Sequence, residues 1–388
     1  MQRIAVYLFM FAVFFTATSE LVVAGILPEL AGQMRVSLAL AGQLVTIYSL
    51  AFAVGTPLIV TLTARLGRKK LLLATLVVFI AGNLASFASP GFAMLAAARV
   101  LLGASSGVLM VAAFGAAAKL VPAERLGSAI GTIVLGFSSA MVAGVPIGIA
   151  LTERFGWQAI FLLLAVGSLP ILLAIAWLLP ETEGDAPVPL LRQIAVARDP
   201  VIRSALLLVL FREAGNSIMF AYAAAFLGDM LHRTAGQIGA IMLAFGIAGA
   251  IGSRLGGAAV DRWGSARLIV GSVSAHVLAL ALLPLAVGSP PLAIAFMALW
   301  VLAMFVMGPA TQTYFIERAP QAASLVISVN ISVTQIGLAA GAALGGAAAA
   351  MNGTVLYNPW VASVALLLSF AAALDSIRRK KQACAKTH

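Results

Sequence analysis

The chain has 388 residues, 62% of them hydrophobic and only 10% charged, with a formal net charge of +11 and a mean hydropathy of +1.07. A soluble domain carries about 25% charged residues, so this chain cannot cover a water-facing surface and needs lipid as its solvent. The lone Cys384 excludes a disulfide framework within the chain. His232, His276 and His388 lack metal-ligand spacing, and there is no Walker-type loop, zinc signature or nucleophile elbow, which leaves an ATP-driven pump or a hydrolase without machinery.

Apolar runs bounded by charge or by Gly/Pro clusters predict twelve transmembrane helices, over 4–28, 40–63, 71–89, 91–117, 126–151, 157–179, 202–228, 236–260, 268–288, 290–315, 323–350 and 358–377. Each is near or above the ~20 residues that cross a hydrocarbon core ~30 Å thick. The runs lack the period-two alternation of barrel strands, so the expected class is an all-α membrane protein. The first run is too long for a signal-peptide core and contains Glu20, so it reads as a membrane helix.

Placing both termini in the cytoplasm leaves only Arg35, Arg154 and Arg233 on the opposite side, with Arg99, Arg212 and Arg254 inside spans. The remaining 18 of the 24 Lys and Arg then face the cytoplasm, as the positive-inside rule requires. That placement accounts for the basic charge without a nucleic-acid partner.

The longest polar stretch, Pro180 to Arg203, falls midway and carries Glu181, Glu183 and Asp185 ahead of Arg192, Arg198 and Arg203. Residues 1–179 and 202–388 are therefore expected to form two six-helix bundles joined by a cytoplasmic linker, 180–201, with a basic tail closing the second. An offset of 197 residues superposes Arg65-Leu66-Gly67 on Arg262-Trp263-Gly264, and Gly144-Val145-Pro146-Ile147-Gly148 on Gly341-Ala342-Ala343-Leu344-Gly345. Such internal repeats, with a binding site at their interface, characterise secondary transporters.

Several motifs in the right order resemble the major facilitator superfamily, and within it the twelve-helix drug:proton antiporters. The most specific is Gly257 followed by Asp261-Arg262-Trp263-Gly264, the superfamily's G-x-x-x-D-R-x-G loop. Its first-half counterpart keeps Arg65, Gly67, Arg68 and Lys69 but has Val60 for the glycine and Ala64 for the aspartate. Arg99 with Gly103 and Gly107 resembles the fourth-helix arginine motif. Gly144, Pro146 and Gly148, followed by Phe155-Gly156-Trp157, resemble the fifth-helix motif of antiporters. Thr18-Ser19-Glu20 with Gly25, Leu27 and Pro28 resembles the first helix of bacterial efflux proteins for drugs, sugars and purines.

The resemblance implies a bacterial inner-membrane, proton-coupled exporter of a small drug-like or metabolite substrate, working by alternating access as a monomer. The proton gradient would drive it, with no cofactor and no metal. The alternatives are a sugar or nucleoside facilitator or importer, and a non-transporting lipid-handling or sensory relative of the fold.

Ionisable residues inside spans are costly and mark function. Glu20 is expected to take up a proton near neutral pH. If helix 1 ends near Pro28, Glu20 lies about 12 Å below that end, a depth shared by Arg99 in helix 4, so the two are expected to form the proton-coupling pair. Their alternative is a static ion pair. On helix 7, Arg212, Glu213 and Asn216 are candidate cavity residues, Glu213 and Asn216 sharing a face. Glu213 would bind a cationic substrate or a second proton, or else simply pair with an arginine such as Arg254. Tyr222, Trp300, Tyr314, Asn330 and Gln335 are further cavity candidates, while Trp157 and Trp360 read as interfacial anchors. Gly144, Pro146 and Gly148 are expected to let helix 5 bend and slide. Arg65, Gly67, Gly257, Asp261, Arg262 and Gly264 form the expected cytoplasmic gate.

Overall fold

A computed structural model describes residues 2–122, 126–181, 184, 195, 198–318 and 323–385. Arg125, Glu183, Asp185, Arg192 and Lys386, and most of the expected linker, lie outside the described residues. Among the described residues there is no strand, and twelve helices are long and apolar enough to span a membrane. They are α1 Gln2–Gly25, α2 Leu38–Leu62, α3 Arg68–Phe87, α4 Phe92–Leu120 and α5 over 126–155, then α6 Gln158–Leu178 and α7 over 200–230. The rest are α8 Ala235–Trp263, α9 over 265–286, α10 Pro290–Arg318, α11 Ala323–Asn352 and α12 Asn358–Ala385.

Local chemistry sets the boundaries. Ser37 caps α2, its Oγ accepting from the Leu40 N–H at 3.1 Å. Asp199 caps α7 with bonds from Val201 and Ile202, and Pro200 takes the first turn, where its missing N–H costs nothing. Gly156 and Gly264 end α5 and α8 at φ +81° and +80°, backbone that residues bearing a Cβ rarely adopt. Polar side chains within spans return their hydroxyls or amides to the carbonyl three or four residues back, as Thr18 does to Phe14, Thr75 to Leu71 and Asn83 to Phe79. That local closure makes them tolerable where no water reaches.

Three features differ from expectation. Helix 1 stops at Gly25 rather than Pro28, and Leu27–Met34 forms a separate short helix with Pro28 in its first turn. Glu20 thus lies five residues, ~7.5 Å, from the end of α1. Helix 5 contains one π turn, Ala140–Gly144, immediately before Pro146. Trp157 is buried against Phe161 rather than anchored at an interface. Trp360 is 42% exposed, and Trp177, at 80%, is the more exposed anchor.

The 197-residue offset recurs in the backbone. Arg35 and His232, the only non-glycine residues with positive φ among those described, are one offset apart. So are Gly156 and Gly353, both at positive φ. Ser37 at the start of α2 is matched by Thr234 at the start of α8, where Thr234 and Gln237 cap each other's backbone N–H.

The chain divides into two compact units. One comprises Met1–Pro189 with Thr234–Gly246. Its apolar core joins residues of α1, α3, α4, α5 and α6, including Phe9, Leu72, Val108, Ile133 and Ile175. The other comprises Leu190–Arg233 with Ile247–His388. Its core joins α7, α9, α10 and α12 around Val209, Val273, Phe315 and Ala373.

Candidate functional site

Each unit contains its own buried polar cluster. In the first unit the centre is Arg99 of α4, which is fully buried. Arg99 Nη1 donates to the Ser19 carbonyl of α1 at 2.7 Å, and Nε donates to the Leu44 carbonyl of α2 at 3.3 Å. Its guanidinium lies 4.2 Å from the centre of the Tyr48 ring, and the Tyr48 hydroxyl donates to the Thr16 carbonyl of α1 at 3.4 Å. One side chain thereby ties three helices together.

Glu20 follows Ser19 directly and is buried. Arg99 Nη2 has no hydrogen-bond partner among the described residues. A charge buried this deeply is tolerable only with such partners.

Sequence spacing builds this cluster. Arg99, Gly103 and Gly107 recur every four residues and so share one face of α4. A Cβ at Gly103 would collide with the Tyr48 carbonyl, and one at Gly107 with Thr56 and Phe52. The two glycines therefore draw α4 onto α2 and carry Arg99 within reach of Leu44 and Tyr48.

The α5 motif works against α1 in the same way. Gly144 faces Thr18 and Gly148 faces Val22, with no room for a Cβ at either. Pro146 has no N–H to give to the carbonyl four residues earlier, and the π turn sits at that unpaired stretch. Gly246 presses on Val142 of the same turn.

In the second unit the cluster is a chain of bonds between α7 and α10. Arg212 donates to Thr311 Oγ1 at 2.9 Å and pairs with Glu213. Asn216 Nδ2 reaches Glu213 at 3.5 Å, and Trp300 Nε1 donates to Asn216 Oδ1 at 3.1 Å. Glu213 is therefore held by the neighbouring residue of its own helix, whereas Arg254 is exposed. Arg212 Nε remains without a partner among the described residues.

Gly341 and Gly345 of α11 meet α7 at Ala214, Ser217, Ile218 and Tyr222, as Gly144 and Gly148 meet α1. Tyr222 donates to the Ala342 carbonyl at 3.0 Å and Ser217 to Leu338 at 2.7 Å, so Tyr222 acts as a strut between α7 and α11. Tyr314 likewise bonds Ser376, at 2.8 Å. Asn330 and Gln335 are buried, and Asn330 Oδ1 has no hydrogen-bond partner among the described residues.

The expected gate residues belong to both units, Arg65 and Gly67 to the first and Gly257, Asp261, Arg262 and Gly264 to the second. Asp261 and Arg262 are exposed and form no ion pair among the described residues; the α9 start is instead tied to α10 by Ser265 donating to Glu317 at 2.8 Å. A Cβ at Gly257 would meet nothing, while Gly249, Gly252 and Gly256 make the close approach to α10. Gly67 begins α3 at an ordinary φ of −57° and Arg65 is exposed. Beside them Lys69 faces Glu181, just beyond the end of α6, at 4.0 Å.

Sequence reasoning missed Tyr48 and Thr311, and it weighed His276 only as a metal ligand. Tyr48 and Thr311 lie in apolar runs with no motif to mark them. His276 is fully buried with Nδ1 2.7 Å from the Ser272 carbonyl. No group of three or more His, Cys, Asp or Glu able to hold a metal exists among the described residues.

The Major Facilitator Superfamily profile matches residues 9–342 and 205–381. An uncharacterized MFS-type transporter of Bacillus subtilis, YbcL, is 33% identical over 95% of this chain and 94% of its own length. The Escherichia coli inner membrane transport protein YdhP is 30% identical over 92% of both chains. Among solved structures, a bacterial homologue of the human lysosomal transporter Spinster, inward-facing and occupied, superposes with a TM-score of 0.81 at 14% identity, covering 96% of each chain. A D-xylose-proton symporter gives 0.74 at 16% identity, over 97% of this chain and 96% of its own. With twelve membrane-spanning helices and these matches along almost its whole length, the chain belongs to the Major Facilitator Superfamily and is a multi-pass membrane transporter, not an enzyme.

Proposed function

We propose that the protein is a proton-coupled exporter of a small drug-like or metabolite molecule, acting by alternating access in a bacterial inner membrane with both termini cytoplasmic. The observation that carries this reading is the contact between Arg99 and the Ser19 carbonyl, one residue before Glu20. Arg99 also holds Leu44 and Tyr48, so a change of charge at Glu20 falls one residue from the contact through which Arg99 joins α1, α2 and α4.

With Glu20 ionised, the carboxylate field holds the guanidinium in place. A proton on Glu20 removes that field, and Arg99 is left with neutral partners. With its π turn, α5, packed on α1 through Gly144 and Gly148, is the element able to follow that change. In the second unit, Glu213 and Asn216 are the polar groups offered to substrate, and a cationic or neutral amphipath competes with Arg212 for Glu213. The proton gradient supplies the driving force, and the transporter acts as a monomer.

The test is substrate-induced proton release from purified protein, screened against drugs, sugars and purines. Wild type releases protons on addition of its substrate class, and Glu20→Gln binds the same compounds without release. A Glu20→Gln protein that still transports in a fully proton-driven manner sinks the proposal. Uptake into vesicles with no proton dependence would instead identify a facilitator or importer of sugars or nucleosides.

A further inference from the structure

A groove of about 380 Å³ runs along the second unit between α9 and α10. Its floor and walls are almost wholly apolar, with Gly271 and Ala275 on α9 and Leu302 and Val306 on α10, and Trp263 and Arg267 stand at one end. From Arg267 to Ala275 the groove follows eight residues of helix, ~12 Å at 1.5 Å per residue. Both walls are candidate membrane spans, so the apolar part lies along the hydrocarbon.

The end of the groove differs sharply from its length. Arg267 is exposed and makes no hydrogen bond or ion pair among the described residues, and the same holds for Arg262 in the adjoining turn. The acids nearby are Asp261, exposed in the same turn, and Glu317, which Ser265 already engages. Trp263 is 55% exposed beside Arg267, the position of an aromatic residue at a headgroup boundary. Gly271 opens the middle of the groove, since a Cβ there would meet nothing within 4 Å.

We propose that this groove binds an anionic phospholipid of the surrounding leaflet, one acyl chain lying between α9 and α10 and the phosphate resting on Arg267. An apolar trough alone would take any lipid tail; the unpaired guanidinium at its mouth selects headgroup charge. Basic pockets between membrane helices recognise anionic headgroups by this combination.

The experiment uses the full-length protein in nanodiscs containing phosphatidylglycerol or phosphatidylcholine with brominated acyl chains. The Trp263 contribution to quenching is the difference between wild type and Trp263→Phe. Brominated phosphatidylglycerol should quench Trp263 at about fivefold lower mole fraction than phosphatidylcholine, the gain expected of one basic side chain at an anionic headgroup. Arg267→Gln should bring the two lipids together. Gly271→Leu, which fills the trough without touching the charge, should weaken quenching by both. The comparison of the two lipids needs only wild type and the conservative Trp263→Phe, and it stands even if Arg267→Gln or Gly271→Leu fails to fold. Equal quenching by the two lipids in wild type overturns the proposal, as does a preference that survives Arg267→Gln or tail quenching that survives Gly271→Leu in folded protein.

Discussion

Replacing Arg99 by lysine keeps a charge but exchanges a planar fork for a single ammonium. Arg99 reaches carbonyls on two helices from different nitrogens while lying on the Tyr48 ring, which one ammonium cannot do. Loss of one such charge-assisted bond costs about 1.5–3 kcal/mol. Arg99→Lys is therefore expected to fold with a lowered Tm in detergent and to lose most transport, both measurable on one preparation. Trp300→Phe tests the other cluster. It removes the N–H that satisfies Asn216, and a buried acceptor left unpaired costs about 1–3 kcal/mol. The expected outcome is a lower Tm and weaker substrate binding, with proton release per bound substrate unchanged, because Glu20 lies in the other cluster. Glu20 and Arg99 were legible in the sequence because charge inside an apolar run is conspicuous. Tyr48 and Thr311 were not, since an apolar run tolerates either and only the neighbouring helices show what they serve.

At the scale of the helix, the glycines sort into two kinds that sequence does not separate. Gly144 meets both branches of the Thr18 side chain, so no rotation of Thr18 makes room for a methyl group. Gly341 meets the Ala214 carbonyl, which cannot rotate away. Gly144→Ala and Gly341→Ala are each expected to destabilise by about 1–3 kcal/mol, the usual cost of overpacking. Gly257→Ala, a change within the most specific motif, meets open space and is expected to leave stability unchanged or raise it by about 0.5–1 kcal/mol through helix propensity. Thermal unfolding of the three variants in one detergent checks the order. Pro146→Ala restores an N–H donor to the stretch holding the π turn. It should stiffen α5, so that Tm holds or rises while the transport rate falls.

At the scale of the whole chain, the orientation drawn from the Lys/Arg distribution is testable without function. In a Cys384→Ser background, Asn352→Cys at the exposed end of α11 should react with an impermeant maleimide in intact cells. Leu66→Cys, between α2 and α3, should react only in inverted vesicles. The opposite pattern would reverse the assignment. The 197-residue repeat belongs to this scale too. It rests in sequence on two short matches, but in the backbone on paired left-handed residues, Arg35 with His232 and Gly156 with Gly353, and on equivalent caps at Ser37 and Thr234. Arg35 and His232 differ in residue type yet share a positive φ, so the repeat is more legible in the backbone than in the sequence.

Twelve spans, their approximate bounds and the family resemblance came from sequence alone, because partition into lipid depends on the hydropathy and length of each segment by itself. The fine divisions did not: the break between α1 and the separate helix Leu27–Met34, and the π turn at Ala140–Gly144, lie where Gly25 and Gly144 pack closely on neighbouring helices, which hydropathy does not register. The same limit governs the site. Sequence supplied Glu20, Arg99 and Glu213 as charges that had to find partners within the membrane. Only tertiary structure decided that Arg99 would grip the Ser19 and Leu44 carbonyls, that Glu213 would be held by Arg212, and that Asp261 would stand exposed. A buried charge fixes the need for compensation, but helix packing determines which group provides it.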